Sequence, residues 1–380
     1  MKLRSFVPDL QSINLQSINL QPVDFLLLFV PVSLYLGGFG GLNPGVNSTL
    51  IFITSILALI PLAAKMGEAT EELAKSYGGQ IGGLLNATFG NAAELIIALI
   101  AINRGLEELV KASLAGSIIG NLLFVLGMSI LAGGLKYKEQ KFNPSLAGTN
   151  ATMLLIAFMS LMIPSMFHFV PAEHRGNDEQ SLSIIVSVLL LLVYLLSMVF
   201  SLKTHKYLFH DENKIKSEHV KSEHEKPKWD KKFAIGILAV ATVLLALVSE
   251  IFVGQVENVA HTFGLSELFI GAIVVAVVGN AAEHVGAIFF ALKNDLDLAL
   301  GITAGSSLQI AMFVAPICVL FAVIAGKRMD LVFTPFEIIA VFASVLIANE
   351  ISSDGTTNWF EGAQLLVMYL IIAALFFFVR

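Results

Sequence analysis

Long blocks of apolar residues, separated by short polar stretches, run along almost the whole chain. Eleven blocks occur, and their lengths suit helices that cross a hydrocarbon core about 30 Å thick. A spanning segment must satisfy its own backbone, and the alternating strands of a β-barrel are absent. The pattern therefore predicts an all-α polytopic membrane protein with eleven transmembrane helices, at roughly 24–42, 48–66, 81–102, 110–135, 147–170, 182–202, 233–253, 267–292, 296–325, 331–349 and 361–379.

One polar motif occurs twice within this apolar pattern. Gly90-Asn91-Ala92-Ala93-Glu94 returns as Gly279-Asn280-Ala281-Ala282-Glu283, and each copy places a carboxylate inside an apolar block. Aligned without a gap, residues 90–117 and 279–306 agree at ten positions, including the pairs Gly116-Ser117 and Gly305-Ser306. We interpret this agreement as an internal duplication with one acid in the middle of each half.

The duplication predicts the domain plan. One leading helix is followed by two five-helix repeats, and an odd number of crossings per repeat inverts the second relative to the first. Secondary transporters often have inverted repeats, with the substrate site at the midplane where the halves meet. The predicted units are a polar leader at 1–22, a leading helix at 23–42, repeats at 43–202 and 233–380, and a charged loop at 203–232.

Composition supports the membrane assignment. The chain is 56% hydrophobic and 14% charged, with mean hydropathy +0.80, whereas about 25% charged residues are usual in soluble domains. The single cysteine, Cys318, cannot form an intrachain disulfide. The net charge of −6 gives no indication of nucleic-acid binding, and the leader is too polar for a signal peptide.

The distribution of lysine and arginine predicts the orientation. With a cytoplasmic N-terminus, 17 basic residues fall in inside segments and six in outside segments. Without the nine lysines of loop 203–232, the counts are eight and six, in the same direction. The positive-inside rule therefore favours an N-terminus inside.

Loop 203–232 has two interpretations. It contains four of the eight histidines and a Lys-Ser-Glu-His unit twice. A charge-rich tract of this kind is typical of a solvated linker. The alternative is a cytoplasmic sensor of divalent ions that uses Glu218, His219, Glu223 and His224.

The two central acids carry the functional argument. An unpaired carboxylate at the bilayer centre costs at least about 2.5 kcal/mol, so Glu94 and Glu283 must be protonated or have a cation partner. No lysine or arginine lies at a comparable depth in any apolar block. The partner is therefore a proton or a metal ion, and competition between the two predicts exchange. The predicted protein is a transporter and not an enzyme, and it has no cofactor.

The polar neighbours of these acids suit a hard cation. Ca²⁺ takes six to eight oxygen ligands, and the adjacent glycines can let a helix unwind and expose carbonyls. The motifs have no cysteine and one histidine, His284, which either relays a proton or packs with a hydrogen bond. The neutral candidates, which alternatively hold helices together, are Asn91, Asn280, Ser117, Ser306, Gln309, Asn121, Asn86 and Thr88.

A second pair of acids lies nearer the ends of the helices. Glu71 and Glu257 precede the central acids by 23 and 26 residues. They either form an acidic entrance that gathers cations or are simply solvated at the interface. Glu250, inside the seventh block, is not explained by the repeat.

The repeated motifs of the chain resemble those of a known family. Residues 86–96 and 279–284, with 116–121 and 305–310, are similar to the two central repeats of the Ca²⁺/cation:proton antiporter family, the cation/H⁺ exchanger branch of the calcium/cation antiporter superfamily. The resemblance covers the chain from the first block to the last and implies the same eleven-helix plan. It implies Ca²⁺ export from the cytoplasm in exchange for protons, with Glu94 and Glu283 as ion-binding, proton-carrying acids and Ser306 and Gln309 as a polar pair.

Two features depart from the family pattern. Members often carry a strongly acidic helix between the halves, whereas loop 203–232 has nine lysines among its acids. Gln309 aligns with Gly120 and not with Asn121, so the halves are not equivalent as ligand sets.

Other functions remain as alternatives. A sodium/calcium exchanger of the same superfamily is the second interpretation, and a cation channel or an intramembrane hydrolase is less favoured. The expected partners are Ca²⁺, H⁺ and the lipid bilayer. The oligomeric state, including a homo-oligomer, and transport of Mn²⁺ are left open. Compact loops favour a bacterial cytoplasmic membrane, with a vacuolar membrane as the alternative.

Overall fold

The structure is a computed structural model that describes residues 22–40, 47–77, 79–171, 173, 178–205 and 227–379. The predicted leader lies outside these residues except for Pro22. The four side chains of the sensor alternative, Glu218, His219, Glu223 and His224, also lie outside them.

The described chain is almost entirely helical, as the apolar pattern predicts. A 3-10 turn at Pro22–Leu28 leads into the first helix. The helices in chain order are α1 (Phe29–Gly40), α2 (Ser48–Tyr77), α3 (Gly79–Phe89), α4 (Ala92–Asn103), α5 (Glu107–Lys136), α6 (Pro144–His168), α7 (Asp178–Thr204), α8 (Lys231–Phe263), α9 (Glu267–Gly279), α10 (Ala281–Leu292), α11 (Leu296–Ile324), α12 (Pro335–Ile351) and α13 (Trp359–Phe378). Two short strands, β1 (Gln140–Lys141) and β2 (Thr356–Thr357), pair antiparallel between loops.

These helices confirm the all-α membrane class. Seven of the described helices are long and apolar enough to cross a membrane, and α9 with α10 forms an eighth candidate bent by 63°. The count of eleven crossings stays a prediction.

Some boundaries differ from the predicted ones. Helix α2 continues eleven residues beyond the predicted end at 66, to Tyr77. Helix α12 begins only at Pro335 and not at 331, because proline suits the first helical turn and Thr334 forms a capping box with Glu337.

The two halves follow one order of elements. Each contains a long helix (α2, α8), a broken helix (α3–α4, α9–α10), a second long helix (α5, α11) and two further helices. The breaks fall at Asn91 and Asn280, inside the repeated motif. The half-helices α4 and α10 then end alike, with left-handed residues at Gly105 (φ +78°) and Asn294 (φ +64°), a common way to close a helix C-terminus.

The half-helices α4 and α10 run in opposite directions. Helix α4 ends beside the start of α5, where Leu106 is the N-cap. Helix α10 ends at the other end of α5, where Lys136 Nζ donates to the Leu292 carbonyl at 2.9 Å. Both begin at the repeated motif, so they diverge from it, which agrees with the predicted inversion.

Helices α5 and α11 lie at the centre of the molecule. Their most apolar windows are 72% and 61% buried, against 28% for α7, α8 and α13. The outer helices expose large apolar side chains such as Leu189 and Leu196 of α7, as expected for surfaces in contact with lipid. The centre of α5 and α11 carries the serines of the repeat.

Candidate ion-binding site

The two central acids occupy the same position in equivalent half-helices. Glu94 and Glu283 are each the third residue of their helix, α4 and α10, and lie in its first turn. The N-terminus of a helix carries a partial positive charge, which stabilises an ionised carboxylate there. The breaks at Asn91 and Asn280 create these N-termini in the middle of the chain's apolar segments.

Each acid packs against the motif glycine of the other repeat. A Cβ added to Gly279 would lie 3.1 Å from Glu94 Oε1, and one added to Gly90 would lie 3.7 Å from Glu283 Oε1. The two carboxylates are also electrostatic neighbours. The site therefore lies where the two repeats cross, and glycine leaves room for the carboxylates.

One oxygen of each acid lacks a partner. Among the described residues, Glu94 Oε2 and Glu283 Oε2 are shut off from solvent and accept no hydrogen bond. A buried polar atom without a hydrogen bond is costly, and a buried charge without a partner is far more so. Each carboxylate therefore requires a proton or a cation.

Asparagine and serine side chains connect the repeats. Ser306 Oγ donates to Asn91 Oδ1 at 2.9 Å, and Asn280 Nδ2 donates to Ser117 Oγ at 2.9 Å. These two contacts are equivalent under the repeat, because each asparagine meets the serine of the other half. The predicted pairs in register with the acids thus come together.

The second half adds further contacts around Ser306. Asn121 Nδ2 donates to Ser306 Oγ at 3.0 Å, and Asn280 Oδ1 lies 3.4 Å from the same hydroxyl. Gln309 Oε1 accepts a 2.6 Å hydrogen bond from Asn91 Nδ2. Ser306 therefore has three asparagine partners, whereas the hydrogen bonds described for Ser117 join it to one.

The asparagines do not cap their own helices. Asn91 and Asn280 stand at the N-caps of α4 and α10, but neither side chain makes a capping hydrogen bond. Asparagine is a preferred N-cap, worth about 1 kcal/mol over alanine. In Asn91 and Asn280 the side-chain amide group bonds instead to the serine of the opposite repeat. This leaves helix N–H groups available near the acids.

Four predicted site residues lie away from this network. Asn86 and Thr88 have exposed side chains at the end of α3, and the Thr88 hydroxyl donates to the Leu84 carbonyl at 2.8 Å. Glu71 is exposed near the end of α2 and forms an ion pair with Lys75. Glu257 is exposed on α8, and its electrostatic neighbour is Glu267.

Two features near the site were missed from the sequence. Ser113 lines a small cavity with Glu94 and Ser117, and its spacing of one helical turn before Ser117 on α5 was the available signal. Helices α5 and α11 also contain π-helical segments, Gly120–Val125 and Ile310–Val314, which begin three and four residues after the serines. Such segments are frequent at functional sites.

His284 is buried beside the site. It is 8% exposed, and its ring meets Phe124 edge-on, with the centroids 6.0 Å apart. The ring of His284 is thus packed against an aromatic side chain of α5.

The polar side chains that bond to one another beside the two acids are amides and hydroxyls. Within the described ranges, no three or more His, Cys, Asp and Glu side chains form a cluster that could hold a metal. A cation at this position would use two carboxylates together with amide and hydroxyl oxygens, which is the donor type that Ca²⁺ prefers.

Helix packing around the site is asymmetric. Gly116 of α5 lies against the Ala272 backbone of α9, and a Cβ on Gly271 would approach Ala112 Cβ to 2.7 Å. On α11, the positions equivalent to Ala112 and Gly116 are Gly301 and Gly305. A Cβ added at either of them has no described atom within 4 Å. Gly83 of α3 instead faces Leu202 of α7. The α5–α9 side is closed, and the equivalent α11 face is open.

Comparison with known proteins places the chain in a family. Residues 47–203 and 233–378 match the sodium/calcium exchanger protein family. A Ca(2+)/H(+) antiporter of Aphanothece halophytica is 47% identical over 365 residues, covering 93% of this chain and 95% of the relative. A Ca(2+)/H(+) antiporter of Synechocystis sp. is 47% identical over 362 residues, covering 93% and 96%.

A solved structure supports the same assignment. That of native YfkE is 42% identical in sequence and superposes with a TM-score of 0.78, covering 93% of this chain and 100% of that one. These matches confirm the resemblance predicted from the two motifs, and the chain belongs to the sodium/calcium exchanger protein family.

Proposed function

We propose that this protein is a secondary active antiporter that exports cytosolic Ca²⁺ in exchange for protons. The observation that carries the proposal is the pair of carboxylate oxygens, Glu94 Oε2 and Glu283 Oε2, shut off from solvent without a partner among the described residues. Two relatives at 47% identity are named Ca(2+)/H(+) antiporters, which favours Ca²⁺ and protons as the competing ligands.

Glu94 and Glu283 alternately bind Ca²⁺ and protons in this proposal. Without a metal, protons neutralise the two neighbouring acids. A divalent cation between them displaces the protons, because it supplies the charge that the ionised carboxylates need. Loss of one proton from each acid would make the exchange of one Ca²⁺ electroneutral.

The neutral ligands come from the network of amides and hydroxyls. Asn91, Asn280, Ser117, Ser306, Asn121 and Gln309 now bond to one another, with distances between 2.6 and 3.4 Å. Ca²⁺ binding would replace some of these bonds by coordination. Asn86 and Thr88 stay predicted ligands that act when α3 moves.

The asymmetric packing suggests how access alternates. The open face of α11 at Gly301 and Gly305 is the counterpart of the closed α5–α9 contact. In the state open to the other side of the membrane, we expect α3 to pack on α11 and α9 to separate from α5. Transporters built from inverted repeats alternate access largely by rocking or gating one repeat against the other around a fixed site.

The proposed setting is a cytoplasmic membrane with the N-terminus inside. Repeats at 43–202 and 233–380 would then present Glu71 at the inner entrance and Glu257 at the outer one. Vacuolar proteins also occur among the relatives, including a vacuolar calcium ion transporter of Schizosaccharomyces pombe. A vacuolar membrane therefore remains the alternative setting.

Sodium/calcium exchange is the second candidate, because the matching family carries that name. An assay of ⁴⁵Ca²⁺ uptake into vesicles distinguishes protons from sodium as the coupling ion. Uptake is driven either by a pH gradient without sodium or by a sodium gradient without a pH difference. We expect uptake with the pH gradient alone. Uptake that requires sodium would contradict proton exchange.

A further inference from the structure

Two tyrosine–phenylalanine pairs flank the ion site in equivalent places. Phe124 and Tyr369 have ring centroids 5.1 Å apart at an interplanar angle of 35°. Phe313 and Tyr194 have centroids 5.5 Å apart at 32°. Both tyrosines are buried, with 6% and 7% of their surface exposed.

The repeat relates these two pairs. Phe124 and Phe313 occupy equivalent positions, each seven residues after the repeated serine, Ser117 or Ser306. Each pair also crosses between the halves: Phe124 of α5 meets Tyr369 of α13, and Phe313 of α11 meets Tyr194 of α7. The two halves therefore share this contact, with a similar distance and angle between the rings.

Both phenylalanines lie within the π-helical segments. The Leu126 N–H donates to the Asn121 carbonyl, and the Ala315 N–H donates to the carbonyl of the equivalent residue, Ile310. A π turn is rare and occurs mostly as a single turn inside an α-helix. A tilted aromatic pair adds stability beyond its buried area.

The polar ligands lie on the same stretches of helix. Phe124 follows Asn121 by three residues, and Phe313 follows Gln309 by four. A shift of either ring would change the register of the π turn and move the Asn121 or Gln309 amide. Phe124 also meets the ring of His284, the residue after Glu283.

We propose that Phe124–Tyr369 and Phe313–Tyr194 are positioning pairs that hold the two π segments, and through them the polar ligands, at the geometry required for Ca²⁺. This inference rests on the proposed exchange function and deepens it. The rings themselves are not ligands, and their role is to fix the amides and hydroxyls that are.

The test is the Ca²⁺ dependence of pH-driven ⁴⁵Ca²⁺ uptake by Phe124→Leu and Phe313→Leu. We expect each to raise the half-saturating Ca²⁺ concentration about three- to tenfold, with a smaller change in maximal rate. Phe124→Met and Phe313→Met substitute a flexible side chain whose sulfur can still contact the tyrosine ring, so they should give a smaller shift in the same direction.

Phe52→Leu is the matched control. Phe52 and Phe252 form a buried pair between α2 and α8, also across the repeats, with centroids 4.9 Å apart. The control should lower thermal stability without changing half-saturation by Ca²⁺. Equal shifts in the control, or unchanged half-saturation in all four Phe124 and Phe313 variants, would overturn the positioning role. Absence of uptake by the unmodified protein would instead contradict the proposed exchange.

Discussion

Glu94 of the first repeat lies against Gly279 of the second, where an added Cβ would come within 2.9 Å of Glu94 Cγ. Gly279→Ala should therefore displace the carboxylate and reduce pH-driven Ca²⁺ uptake at least about tenfold, since misplaced catalytic or binding groups cost rate steeply. The control is Gly148→Ala on α6, where an added Cβ has no described atom within 4 Å. Full Ca²⁺ uptake by Gly279→Ala would contradict the claim that exchange requires the Glu94 carboxylate at this position.

The serines of the two repeats should differ in importance. Ser306 joins three asparagines, whereas Ser117 is joined to Asn280. Removing a partner from buried polar groups costs about 1–3 kcal/mol, so Ser306→Ala should weaken apparent Ca²⁺ affinity more than Ser117→Ala does. Half-saturation in uptake measures this difference. The reverse order would contradict the unequal network.

Glycines on the closed and open faces should respond oppositely to larger side chains. Gly116→Val meets the Ala272 backbone in the described state and should lower the unfolding temperature. Gly305→Val has open space there, so stability should persist, but the larger side chain would prevent α3 from packing on α11. We expect Gly305→Val to retain Ca²⁺ binding and lose turnover. Normal turnover would argue against the α3–α11 state.

The orientation can be tested with cysteines. Cys318 is buried, so a membrane-impermeant maleimide should label it little. Labelling of a cysteine introduced at an exposed position can then be measured against a low background. Lys327→Cys should be labelled from outside intact cells, and Lys138→Cys only after permeabilisation. The opposite pattern would place the N-terminus outside.

Much of this arrangement could be predicted because it repeats in the sequence. The motif copies identify Glu94, Glu283 and the Asn–Ser pairs, and the apolar blocks give the helices. The breaks at Asn91 and Asn280 were suggested only by the glycines, since the apolar blocks at 81–102 and 267–292 give no sign of two half-helices.

Other contacts could not be predicted, because they depend on how the halves cross. No periodicity indicates that Asn91 bonds to Ser306 and not to Ser117, or that Gln309 reaches Asn91. The π segments were missed because their sequences are ordinary apolar ones. Asn86 and Thr88 were selected for their closeness to Glu94 along the chain, whereas the end of α3 exposes both side chains in this state.

The central claim is that Ca²⁺ takes the place of protons on Glu94 and Glu283. It is tested most directly by titrating the purified protein with Ca²⁺ in weakly buffered solution and measuring the protons released. Glu350→Gln, at an exposed acid near the end of α12, is the control and should behave as the unmodified protein does. The account predicts that Ca²⁺ binding releases protons, and that both Glu94→Gln and Glu283→Gln release fewer protons and lose exchange. Ca²⁺ binding without proton release, or undiminished proton release in either variant, would contradict the account.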